Sequence, residues 1–167
     1  VLAELLGRFQ AETRIFHHAS DRAPVRHRLR RHIANFADQI YSVQALAFAA
    51  IADGHGAARD AADRAAGRLV ELQGPLGQWW WHYSPRTGDV AQSFPVYSVH
   101  QHAMGPMALM AVAAAGGTDH QEAVSLSHRW IQHNELGVDL LDLRAGTLWR
   151  DIEPRESELE KLATHSR

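Results

Sequence analysis

The 167-residue chain contains no cysteine. Disulfides, thiolate zinc sites and cysteine nucleophiles are thereby excluded. It also lacks a surplus of either charge, since 17 basic residues against 19 acidic ones leave a net −2. Such a balance gives no large electrostatic footprint, and no nucleic-acid partner is expected. No apolar run approaches the roughly 20 residues of a membrane span, and no signal-peptide pattern is present. The expectation is a cytoplasmic protein with no transmembrane segment. The basic cluster Arg26-His27-Arg28-Leu29-Arg30-Arg31 reads as a solvated helix face. With 46% hydrophobic and 22% charged residues, 1–167 reads as a single domain.

Twelve histidines are present, but none falls in a His-Glu-x-x-His spacing. On a helix, His100 and His102 point about 200° apart, a poor chelate. His17 and His18 share the problem. Neither a metal nor a cofactor is expected.

What is present is a repeat. Two Ala-rich apolar helices are predicted at 36–53 and 98–115, each followed by a polar amphipathic helix, at 57–73 and 119–133. The first apolar helix stops at Gly54 and the second at Gly116, the normal place for a helix-ending glycine. Asn35 with Asp38 can cap the first apolar helix, and Ser98 with Gln101 can form a capping box on the second. Gln39 and Gln101 stand 62 residues apart, as do Asp38 and His100, Ala49 and Ala111, and Gly54 and Gly116. Each unit reads as an inner helix, a turn and an outer helix. Segments 78–95 and 139–152 read as β-hairpins or wide loops after the outer helices. The stretch Arg14 to His18, with Asp21 to Pro24, reads as a third copy. A helical remnant at 1–10 and a polar helix at 155–164 flank the repeat.

Between Arg64 and Trp79 the chain carries Arg64, Ala65, Leu69, Gln73, Gly77 and Trp79 at fixed spacing. This resembles the QW motif of squalene/hopene-type terpenoid cyclases, which ties an outer helix to the loop before the next inner helix. Arg68 departs from it, because the family prefers an aromatic there. The resemblance extends to the terpenoid cyclase and protein prenyltransferase superfamily, whose architecture six-hairpin carbohydrate enzymes share. It implies an all-α fold, a partial α/α toroid of about two hairpins. It also implies that the chain is the C-terminal part of a larger toroid. Leu2, Leu5 and Leu6 would then lie on an exposed flank that packs against upstream repeats or another subunit.

The chemistry of the best-known members is not carried over. The Asp-x-Asp-Asp acid and the Asp-Asp-x-x-Asp diphosphate motif are absent, and cysteine zinc ligands are impossible. By the resemblance, binding groups sit at one mouth, at inner-helix N-termini and the loops entering them. Helix N-termini suit polar and anionic ligands. The candidate catalytic residues are Asp38, His100 and His82, with Asp38 and His100 paired as acid and base. The candidate ligand-binding residues are Gln39, Tyr41, Trp80, Trp81, Tyr83, Tyr97, Gln101 and His102. Trp79 is expected to seal the fold, and Trp80, Trp81 and the tyrosines to offer stacking surface. This inventory of His, Tyr, Asp and Trp suits a carbohydrate ligand, processed by a hydrolase, lyase or epimerase. A terpenoid-cyclase-like protein with its acid elsewhere, and a non-catalytic helical-repeat module, remain alternatives.

Overall fold

The computed structural model describes residues 1–20, 23–25 and 32–150. The basic cluster 26–31, Asp21 and the helix expected at 155–164 lie outside the described residues. In chain order the elements are α1 (Leu2–Arg8), β1 (Phe9–Gln10), β2 (Ile15–Phe16), β3 (Ala34–Asn35) and α2 (Phe36–Asp53). They continue with α3 (Gly56–Glu71), β4 (Trp80–Tyr83), β5 (Val90–Pro95) and a π-helical turn (His100–Met104). After it come α4 (Gly105–Ala114), α5 (Gln121–Arg129), β6 (Leu141–Asp142) and β7 (Thr147–Leu148).

The fold is mixed, not all-α: 47% of it is helical and 14% lies in three small antiparallel sheets. β1 pairs with β2, β6 with β7, and β3, β4 and β5 form a three-stranded sheet with β4 in the middle. The short segments around the helices are rich in aromatic and β-branched residues. They find backbone partners across units as well as within hairpins. The pairing of Asn35 with His82 is the clearest case, because it joins the entry of α2 to the hairpin of the next unit.

α2 packs on both α3 and α4, α1 covers α2 and α3, and α5 covers α4. Asn35 and Asp38 form a reciprocal capping box at the start of α2. The box expected at Ser98 and Gln101 is not formed, since both side chains bond elsewhere. Leu2, Leu5 and Leu6 are not an exposed flank; they are half-buried against the main core.

The QW-like residues stitch units together. Gln73 Nε2 donates to Gly77 O at 3.0 Å and to Ala123 O of α5 at 3.1 Å. Trp79 is 1% exposed, stacks on Phe36 at 5.5 Å, and donates through Nε1 to Ser127 Oγ at 3.0 Å. Gly77 has φ +98°, and a Cβ there would fall 2.2 Å from Leu126 O, so only glycine fits. Arg68, the departure from the motif, donates to Gly88 O and pairs with Asp89 at 3.0 Å, anchoring the β4–β5 turn.

Arg68 and Arg14 also converge on Glu71, at 2.8 and 2.6 Å. Hydrogen bonds from Arg14 and then Arg68 hold the Glu71 carboxyl at about 2, below its ordinary 4.5. A depressed carboxyl stabilises above its unfolded value and loses that contribution as pH falls from about 4.5 towards 2. Glu71 is half-exposed, so solvent screening keeps the contribution below about 1 kcal/mol. Glu71→Gln is therefore expected to flatten the acid limb of the stability profile. Thermal melts across that pH window read it, and an unchanged acid limb counts against the network.

Candidate functional site

The two inner-helix glutamines do the same structural job. Gln39 accepts from Phe16 N–H at 2.8 Å and donates to Phe16 O at 2.9 Å. Gln101 accepts from Trp79 N–H at 2.8 Å and donates to Gly77 O at 2.9 Å. Each buried amide clamps the backbone of the hairpin segment entering its own unit. Neither amide faces solvent, at 1% and 0% exposure. The repeat is therefore physical, but Gln39 and Gln101 are positioning residues rather than ligand contacts.

Pro106 shapes the start of the second inner helix. It has no N–H to give His102 O, and its ring crowds that carbonyl. The turn widens to π geometry, with Gly105 N–H bonded to His100 O. His102 O is taken by His128 Nε2–H at 2.9 Å. Gly105 keeps the turn against the core, since a Cβ there would lie 3.1 Å from Phe36 and Trp79.

This turn sets His100 between two hydroxyls. Its Nε2 lies 2.9 Å from Tyr41 Oη on α2, and its Nδ1 lies 2.9 Å from Ser98 Oγ. The Trp81 ring meets the imidazole edge-on at 5.9 Å. Tyr41 is 47% exposed, so the chain of hydroxyl, imidazole and hydroxyl reaches solvent. Burial holds the His100 imidazole below its ordinary value, which favours the neutral ring. A neutral ring carries one proton. Nδ1–H can donate to Ser98 while Nε2 accepts from Tyr41, or Ser98 can donate to Nδ1 while Nε2–H donates to Tyr41. The arrangement can move a proton to or from Tyr41 in either direction, the requirement for general acid–base work.

Asp38 is not His100's bonded partner. Its carboxylate accepts from Asn35 N–H at 3.0 Å and faces His18 Nδ1 at 2.9 Å, with Arg8 at 3.9 Å. His82 turns to Gln92 Oε1 at 2.8 Å. Trp80 donates to Leu72 O at 2.8 Å and packs on the core. Tyr83 is fully buried, with its oxygen accepting from Trp80 N–H at 3.3 Å, and burial raises its phenol well above the ordinary value. Tyr97 is buried too and donates to Glu135, whose other oxygen accepts from Trp130 Nε1–H at 2.8 Å. Burial first, and Glu135 second, push the Tyr97 phenol up. His102 is half-buried and held down by burial and then by His128.

Of the expected site residues, Tyr41, Trp81 and His100 therefore share one cluster. Asp38, His82 and His102 stand in separate hydrogen-bonded groups. Gln39, Gln101, Tyr83, Tyr97 and Trp80 serve the fold. Ser98 joins the cluster and was legible only as a cap. Among the described residues, no group of three or more His, Asp or Glu is placed to hold a metal ion, and no helix is long and apolar enough to cross a membrane. No family model, curated protein or solved structure matches the chain.

Proposed function

We propose that this chain binds, and through His100 processes, a carbohydrate ligand. The observation that carries the reading is the Tyr41–His100–Ser98 hydrogen-bond chain, half-open to solvent beside the Trp81 ring. His100 is the acid–base residue, Tyr41 the group that meets the ligand's hydroxyl or ring proton, and Trp81 the surface for a pyranose face. Sugar rings present apolar C–H faces and polar edges, which suits an aromatic wall next to hydroxyl and imidazole. The QW-like segment supports kinship with the terpenoid cyclase superfamily, and the missing acid motifs argue against cyclisation by these residues.

Intrinsic fluorescence titration against a panel of neutral and uronic oligosaccharides tests it. At least one is expected to change the emission of the native chain. Trp81→Ala is expected to abolish the change, and Tyr41→Phe to weaken binding about 5- to 10-fold through one lost hydrogen bond. A response that survives Trp81→Ala would move the ligand elsewhere. No response to any saccharide would count against the reading.

A further inference from the structure

A second surface lies beyond this cluster, on the same two helices. After Tyr41, residues Ala45, Phe48 and Ala52 form an exposed stripe along α2. Their counterparts 62 residues on are Met107, Met110 and Ala114, exposed on α4. The open face therefore falls on equivalent repeat positions, so it is a designed side of the unit and not a frayed edge. Phe48 is 54% exposed, Ile51 51%, Met107 49% and Met110 58%. None of these stripe positions is charged.

We propose that this face packs against the same face of a second copy, giving a two-fold dimer. The first argument is area. At roughly 200 Å² for a large side chain, these residues and the flanking alanines expose on the order of 500 Å² per copy. Two copies facing each other would bury about 1,000 Å², the threshold of a specific interface. The second argument is shape. Large and small residues alternate, with Phe48 between Ala45 and Ala52, and the Met107–Met110 ridge ending at Ala114. A two-fold axis seats the ridges of one copy over the alanines of the other, as helix packing requires. The third is charge. An uncharged stripe gives a charged peptide nothing to read, whereas an apolar face complements itself. Methionine suits such a contact because it adapts to irregular gaps.

Sedimentation velocity of the full chain at micromolar concentrations tests the proposal. A dimer is expected, and Phe48→Glu with Met110→Glu is expected to raise its dissociation constant by roughly 100-fold or more. Both positions are exposed, so the circular dichroism melt should hold. If the double variant unfolds, Met107→Lys on the same face is expected to give a folded monomer. A native chain that stays monomeric overturns the proposal, as does a dimer that persists in the folded variants.

Discussion

Replacing Gln101 with leucine is expected to remove about 2–3 kcal/mol of folding stability, a large share of what a domain of this size holds. Leucine keeps the volume and removes the amide. Trp79 N–H, within the buried turn that Gln101 clamps, then loses its partner, and Gly77 O keeps only the bond from Gln73 Nε2. Each orphaned buried group costs about 1–3 kcal/mol. Ser127 loses a contact as well, and with it part of the support for the Trp79 indole. Gln39→Leu is expected to cost at least as much, because Phe16 N–H and Phe16 O both lose their partner. Leucine at the exposed Gln121 is expected to stay within about 0.5 kcal/mol. Urea denaturation reads all three. A loss below about 1 kcal/mol at both buried sites would show that the hairpins are held by packing alone.

That pair of clamps also marks how far the sequence could be read. The offset of 62 between Gln39 and Gln101 is visible in the residues alone, and it places both at equivalent points of α2 and the π turn. The start of α2 was legible too, from Asn35 and Asp38. What the amides bond was not legible, because their partners lie 22 to 24 residues upstream in loops whose path depends on the whole fold. The same limit explains Tyr83 and Tyr97. Aromatics beside turns look like ligand surface until the register of β3 against β4 buries one and Glu135 captures the other. The short strands β1, β2 and β3 carry two residues each, too few for an alternating pattern to show. The π turn had one signal, Pro106, which was consistent with a helix start as well. The pairing of Tyr41 with His100 spans 59 residues and two helices. Equivalent repeat positions suggested Asp38 as the partner, but Asp38 sits nearer the cap and is drawn to Asn35 and His18.

Loss of the His100 imidazole is expected to have the largest functional effect. It holds the middle of the hydrogen-bond chain, so its removal leaves Tyr41 without a proton partner and takes away the ring that Trp81 meets edge-on. It is only half-buried, and its two side-chain bonds are to hydroxyls that solvent or a neighbour can replace. The expected stability cost is therefore about 1 kcal/mol, against a general acid–base contribution of about 10²–10⁴ in turnover. His100→Gln separates the two roles, because the amide can keep one hydrogen bond while supplying no titratable proton.

The most direct measurement is isothermal titration calorimetry of the native chain and of His100→Ala, using the oligosaccharide that most perturbs Trp81 emission. Melting curves are recorded on the same samples. Saturable binding to the native chain is expected, with at least about tenfold weaker binding to the variant and a melting temperature lowered by only a few degrees. Equal binding by the two folded proteins would contradict this expectation, and so would a variant whose only defect is that it no longer folds.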